Sequence, residues 1–402
     1  MGIVIQKFGG SSLSTKEGRH HVIEKIITAK EQGQNPVVVV SAIGRKGDPY
    51  ATDTLLEITN AIYPNLALRE KDLLMSCGEI ISAVVLVSSL YKQGYTAMAL
   101  TGGQAGIITD ENFGQATVQE MDTIAIRKAL AAGIIPVVAG FQGQSQKGDI
   151  TTLGRGGSDT TAALLGESIG AQAIEIYTDV DGMMTTDPRI YPQAQMIENL
   201  SYHEVFQMAD SGARVIHPRA VEIARRSGIP LYIKNTFKST QGTCISHNTF
   251  GSTDSKDPGA RLPLVTAIAH RPNQVQFCIE DKELQEEKFF TLLAAQGVSI
   301  DMINFFPNRK IFIIDSQCIS QVLELLETQS IKYCYIQDCC KITMIGEGMT
   351  GIPGVMAKII RCLKKEEIEI LQTADSLTTI ACLIYHKDLC KAVTALHKEF
   401  EL

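Results

Sequence analysis

Two clusters of residues in this 402-residue chain have the types and spacing to do chemistry. Gly154-Arg155-Gly156-Gly157-Ser158-Asp159 places three glycines, an arginine and an aspartate within six positions, ahead of a helical run from Thr160 to Gly170. Glycines in such a turn let backbone N–H groups approach a ligand with no Cβ in the way. The start of the next helix adds partial positive charge. Arg155 offers a planar fork for carboxylate or phosphate oxygens. Asp159 is an anion set where anions should bind. It suits a helix N-cap, or a group that organises a metal or a lysine, or both. A capped helix after a glycine turn accounts for this stretch equally well when it is taken alone. The second cluster is Lys7-Phe8-Gly9-Gly10-Ser11-Ser12, a lysine at the end of a strand-like run followed by a glycine pair and hydroxyls at a helix start. No Gly-Lys pair occurs anywhere, which excludes a nucleoside-triphosphatase P-loop, and no Gly-x-Gly-x-x-Gly follows the first strand. What remains suits a phosphoryl group passing between donor and acceptor. Tyr177-Thr178-Asp179-Val180-Asp181-Gly182, the turn Met184–Arg189, and Ser76-Cys77-Gly78-Glu79 complete the polar patches.

These patches fall at the ends of alternating strand and helix patterns. Strands are expected at Ile3–Phe8, Val37–Ile43, Thr96–Leu100, Ile134–Phe141, Ala173–Tyr177 and Pro230–Asn235. Helices are expected at Lys16–Gln32, Arg69–Gln93, Gln119–Ala132, Thr160–Ile169, Tyr202–Ser211 and Pro218–Ser227. Val37-Val38-Val39-Val40 has the continuous β-branched character of a strand covered on both faces. The pattern predicts an α/β three-layer sandwich with a mainly parallel sheet, whose ligands bind at the carboxyl ends of the strands.

Lys238 to Arg261 loses apolar periodicity and reads as a linker or loose edge hairpin. Beyond it lies a weak repeat of about 70 positions, from Val298-Ser299-Ile300 to Ile368-Glu369-Ile370. The first copy reads βαββαβ, the ferredoxin-like order. The second ends one strand short, and the spare strand Val265–Ala269 before the first copy supplies it. The expected division is residues 1–245, a linker at 246–263, and a region 264–402 with two modules. The first module spans about 274–338 and is inserted into a second formed by 264–270 and 341–402.

Composition narrows the class. A net charge of -7 argues against a nucleic-acid coat or a polybasic membrane surface. The N-terminus reads directly as a strand rather than a signal peptide, and the apolar run Ala83 to Leu90 is short for a bilayer, so a cytoplasmic location is expected. Of ten cysteines, eight fall after residue 270; Cys334, Cys339 and Cys340 are expected as buried thiols rather than metal ligands.

In order along the chain, Lys7–Ser12, Val40-Ser41-Ala42, Gly78-Glu79, Gly154–Asp159, Tyr177-Thr178-Asp179-Val180, Thr186-Asp187-Pro188-Arg189 and Gly212-Ala213-Arg214-Val215-Ile216-His217-Pro218 resemble the aspartate kinases. The tail, with Gly348–Val355 at a loop before a helix, resembles their paired ACT regulatory modules. The likeness covers the whole chain and is greatest to the short, single-function enzymes of Gram-positive bacteria. It implies ATP-dependent phosphorylation of the side-chain carboxylate of L-aspartate, the first step toward lysine, diaminopimelate, threonine and methionine, with Mg2+ carried by ATP and no direct protein ligand. It implies Lys7 and Asp159 as catalytic residues, and Ser41, Thr52, Glu79, Arg155 and Ser158 as contacts to aspartate. It implies a nucleotide site of Lys7, Phe8, Gly9, Gly10, Ser11, Thr178, Asp179, Met184, Asp187, Arg189, Arg214 and Val215. Met184 stands where relatives often carry tyrosine, and Arg214 where they often carry lysine. An amino-acid effector (lysine, threonine or diaminopimelate) is expected at Asp301 and Asn304, and a homodimer or higher homo-oligomer is expected through the ACT modules. His217, ahead of Pro218, is read as structural. The alternatives are an amino-acid kinase for glutamate, acetylglutamate or a nucleotide, or a catalytically dead amino-acid sensor.

Overall fold

The computed structural model describes residues 2–213, 215–247, 263–280, 286–349 and 351–402. Arg214, Thr350 and most of the expected linker lie outside the described residues. The chain divides into two compact units. The first holds the described residues up to Met183, Met196–Ala209 and the described part of Arg214–Ser255; the second holds Met184–Gln195, Asp210–Ala213 and the described residues after Lys256. The expectation of an uninterrupted first domain to residue 245 therefore misses two short segments that pack with the second unit.

The first unit is built on an eight-stranded sheet. Its order is Asn199–Ser201, Thr243–Ser246, Leu231–Asn235, Ala173–Thr178, Ile3–Phe8, Asn35–Val40, Ile135–Ala139, Ala97–Leu100, and all neighbours are parallel except Leu231–Asn235 with Thr243–Ser246. Side chains of a strand alternate between faces, and the first strand uses both. Phe8 turns to a core shared with Val22, Ile26, Val38, Val40, Leu86 and Leu90, from the helices Lys16–Glu31 and Leu68–Lys92. Ile5 turns to the opposite face, where Gly166 of the helix Gly157–Ile169 lies against it and Ile174. Lys7, two residues after Ile5, emerges on that same face, at the start of the same helix.

Leu68–Lys92 is the one helix among the described residues long and apolar enough to cross a membrane. It packs on the strands Ala97–Leu100, Ile135–Ala139 and Ile150–Thr152, with Asp72, Glu79, Leu86 and Leu90 all buried, and so serves as a core helix of the first unit. The expected helix from Gln119 begins only at Ile124, because Val118–Met121 is an edge strand. That strand joins Ile107–Thr109, Gln142–Ser145 and Ile150–Thr152 in a small sheet absent from the sequence reading.

The second unit contains a six-stranded antiparallel sheet, ordered Asp301–Phe306, Arg309–Asp315, Ala267–Ile279, Tyr333–Ile345, Thr379–Tyr385, Gln372–Asp375. The spare strand expected at Val265–Ala269 runs on into the first module as one long strand, Ala267–Ile279, and the end of that module runs on into the second as another, Tyr333–Ile345. Residues 267–271 pair with 341–345, residues 274–279 pair with 333–339, and a register shift lies between. Asn273 and Asp338 adopt positive φ (58° and 53°) at that irregularity, a conformation these residue types tolerate. Two cores flank the sheet. One contains Phe277, Phe289, Phe312 and Leu326; the other contains Met344, Ile359, Leu363 and Leu396 together with Tyr191.

Cys339 and Cys340 are buried as expected, but Cys334 is exposed, opposite Cys278 on the neighbouring strand. All ten cysteines are free.

Candidate active site

A cavity of about 520 Å³ opens at the carboxyl ends of the central parallel strands. Lys7, Gly10, Ser41, Thr52, Glu79, Arg155, Ser158 and Asp159 all line it, from five separate stretches of chain. Every residue expected to touch the amino-acid substrate is thus on one wall system. Lys7 Nζ stands 2.6 Å from Asp159 Oδ1, with both side chains 13% exposed. The contact is close but off hydrogen-bond angles, leaving that oxygen without a hydrogen-bond partner; it is a charge pair.

Asp159 is not the cap of its helix. The helix begins at Gly157, three residues earlier than the sequence pattern predicts, and Gly156 caps it with φ 68°. A cap without a side chain supplies no acceptor to the first turn, where the Gly157 N–H bonds the Gly154 carbonyl at 3.0 Å. Gly156 has to be glycine: its φ is left-handed, and a Cβ would fall 2.2 Å from the His217 ring. His217 in turn caps the helix Pro218–Ser227, accepting from the Arg219 N–H at 3.3 Å. Its role is structural, as a buttress behind the glycine turn. Gly10 performs a similar service on the other wall, where a Cβ would sit 2.5 Å from both the Ala42 and Gly44 carbonyl oxygens.

Glu79 is the electrostatic anomaly. It is 2% exposed on the core helix; Oε1 accepts the Ala42 N–H at 3.0 Å, and Oε2 is buried with no hydrogen-bond partner. Burial is the main cause that pushes its carboxyl up to about 8, against the opposing backbone hydrogen bonds. An unpaired buried carboxyl on a cavity wall is a receptor for a cation.

Three residues of the site carry no sequence signal. Asp72, fully buried, accepts from the Thr152 N–H (2.8 Å), the Thr152 hydroxyl (2.8 Å) and the Gly114 N–H (2.9 Å), fixing the strand that leads into Gly154-Arg155. In sequence it is one charge among Arg69-Glu70-Lys71-Asp72 at a helix start. Phe141 lines the cavity with φ 69°, its N–H held by Thr161 Oγ1 at 3.1 Å. A positive φ in a bulky residue is strain of the kind that gathers at functional sites. Arg45 also lines the cavity, and its guanidinium pairs with Asp179.

The expected nucleotide set is not gathered by this cavity; of it, only Lys7 and Gly10 are on the wall. The Phe8 side chain is fully buried, stacked on Tyr177 at 4.8 Å, so only its backbone is open to a ligand. Gly9, Ser11, Thr178, Asp179 and Val215 belong to the first unit, and Met184, Asp187 and Arg189 to the second. Asp187 and Arg189 pair within their own turn, through a 2.7 Å contact that holds the Asp187 carboxyl below the usual range. Arg214 lies outside the described residues. In the second unit, Asp301 pairs with Lys341, and Asn304 Oδ1 accepts from Gln372 Nε2 at 2.6 Å.

The chain matches the amino acid kinase family over residues 2–235 and the ACT domain over residues 335–398. It is 42% identical over 406 residues to aspartokinase 1 of Bacillus subtilis, covering 100% of both chains. It is 37% identical to the aspartokinase of Geobacillus stearothermophilus, over 100% of this chain and 98% of that one. Among solved structures, Clostridium acetobutylicum aspartate kinase superposes over both full chains with a TM-score of 0.80 at 24% identity, a likeness of fold. From the two family matches and full-length identities of this size, the chain belongs to the aspartokinase family.

Proposed function

We propose that the cavity binds L-aspartate against MgATP and transfers the γ-phosphoryl group to the aspartate side-chain carboxylate, giving 4-phospho-L-aspartate and ADP. The single observation that supports this division of labour is the convergence of Lys7, Glu79, Arg155 and Asp159 on one cavity. The attacking carboxylate has an ordinary pKa near 4, so it is ionised at neutral pH and no general base is required. A side-chain oxygen of aspartate forms the bond to phosphorus, the bond from phosphorus to the bridging oxygen breaks, and its electron pair leaves with ADP. What the protein must supply is alignment and charge neutralisation.

Lys7 screens the two anions from each other and follows the moving phosphoryl group. Asp159 holds Lys7 in place and takes no proton. Arg155, supported by Ser158, forks onto the substrate α-carboxylate. Glu79 receives the substrate ammonium group, giving its unpartnered oxygen a donor. Ser41 and Thr52 line the far wall. Magnesium arrives on the ATP phosphates, and among the described residues no cluster of His, Cys, Asp or Glu is placed to hold a metal alone. Asp159, a carboxylate on the cavity wall beside Lys7, fits a contact to water on that ion, which would supply further neutralisation of phosphate charge. Of the expected adenosine contacts, Thr178, Asp179 and Val215 are assigned within the first unit. For regulation we assign an amino-acid effector to Asp301 and Asn304, two ACT modules to residues 264–402, and a homodimer formed through them.

A coupled ADP-release assay with MgATP and, in turn, aspartate, glutamate, acetylglutamate and a nucleoside monophosphate tests the reading. Turnover with aspartate alone is expected. Preference for another acceptor would replace it with one of the sister activities, and no turnover with any would favour a sensor.

A further inference from the structure

Four cationic side chains line the cavity: Lys7, Arg45, Lys46 and Arg155. Lys7 and Arg155 have assigned partners, whereas Lys46 and Arg45 make exposed pairs, and only that of Arg45 is with a residue of the expected nucleotide set. Lys7 is paired with Asp159. Lys46 bonds Glu57, one helix away, at 2.7 Å. Arg155, on the reading above, is taken by the substrate α-carboxylate. Arg45 has a fixed backbone, and its head pairs with Asp179, a residue of the expected nucleotide set. Its N–H is held by Asp48 Oδ2 at 2.8 Å, and the preceding Gly44 donates to the Gly10 carbonyl at 3.0 Å, which ties the loop to the glycine pair after Lys7. Its side chain is 72% exposed, and its partner Asp179 is 39% exposed. A pair so open to solvent is screened and readily exchanged.

The charge balance calls for that exchange. ATP with its magnesium is still an anion, and so is the attacking carboxylate, while Lys7, assigned above to the phosphoryl path, is already paired with Asp159. We propose that Arg45 is a further catalytic residue: when nucleotide occupies the site, its guanidinium leaves Asp179 and bridges two γ-phosphoryl oxygens. A planar fork spans two such oxygens where an ammonium meets one. Arg45 neither gains nor loses a proton, and the bonds that form and break are those already given. This assignment rests on the aspartokinase reading of the cavity, and a different outcome separates the two.

The experiment compares wild type, Arg45→Ala, Arg45→Lys, Lys46→Ala and Lys7→Ala in single-turnover phosphoryl transfer at saturating MgATP and aspartate. Arg45→Ala is expected to lose on the order of 10²-fold in rate, as for loss of one transition-state donor. Its aspartate KM should change by less than about threefold, Arg45→Lys should recover part of the rate, and added guanidinium ion should rescue the alanine variant. Lys46→Ala should stay near wild type. An Arg45→Ala enzyme within about threefold of wild type, beside an inactive Lys7→Ala, overturns the Arg45 assignment and leaves the aspartokinase reading intact. A change confined to the ATP KM makes Arg45 a ground-state binder and overturns its catalytic role. Activity near wild type in both Lys7→Ala and Arg45→Ala overturns the reading of the cavity itself.

Discussion

Two carboxyl groups in this chain, one buried and one partly exposed, have met opposite fates. Glu79 in the kinase cavity is sealed from water with one oxygen unpartnered, and its carboxyl is pushed up to about 8. Asp301 in the regulatory sheet is 36% exposed and already holds Lys341, with Arg271 at 3.9 Å. The first has one oxygen without a partner; the second is paired with a cation of its own chain. A substrate ammonium can satisfy Glu79 at no cost in displaced contacts. An effector that uses Asp301 has to compete with Lys341, and Asn304 with Gln372. On the proposed reading, substrate recognition uses a carboxyl with an unpartnered oxygen and regulation one that is already paired.

The comparison breaks most sharply at Lys7. Lys7→Ala is expected to lower kcat by on the order of 10²-fold or more with little change in aspartate affinity, because its charge matters most as phosphoryl moves. Near-normal turnover would remove it from the chemistry. Arg155→Lys comes next. It keeps the charge and loses the fork, so the aspartate KM should rise roughly tenfold while the ATP KM holds; the reverse pattern would exchange the two subsites. Asp301→Ala is the mildest in rate. It should leave the uninhibited rate in place and change inhibition by lysine, threonine or diaminopimelate several-fold. It should also lower the melting temperature, because the ammonium of Lys341, 7% exposed, loses its partner. Inhibition curves and a melt identical to wild type would detach Asp301 from both roles.

Much of this contrast was not legible in the sequence. Lys7 and the Gly154–Asp159 turn could be read because strand ends and glycine-rich helix starts have a local signature, and the parallel sheet brings such ends together. Glu79 was legible as a carboxylate in an apolar helix, but its unpartnered oxygen depends on Ala42, 37 residues away. Asp72 and Arg45 went unread as site residues because their partners, Thr152 and Asp179, are remote in sequence. Asp159 was read in part as a cap; the helix starts earlier because Gly156 reaches a left-handed φ that no pattern of apolar residues reports. The long strand Ala267–Ile279 was divided in two by Arg271-Pro272-Asn273, whose break in alternation is a bulge and not an end. The short strands Ile107–Thr109 and Ile150–Thr152 are too brief for periodicity to register.

The most direct test of the central claim is proton release on aspartate binding. With its carboxyl raised to about 8, Glu79 is mostly protonated in the empty site at pH 7. Pairing with the substrate ammonium should return it to the ionised form. The same shift has a stability sign: the folded value lies above the unfolded one, so its stabilising contribution is full below about pH 4.5 and is lost as pH rises through 8. Calorimetric titration of the full-length enzyme with aspartate, in the presence of ADP and in buffers of different ionisation enthalpy, counts the protons. The account predicts release of close to one proton at pH 7, fading above pH 8.5 and absent in Glu79→Gln, whose aspartate affinity should also collapse. Aspartate binding with no proton exchange at pH 7, or undiminished in Glu79→Gln, would contradict it.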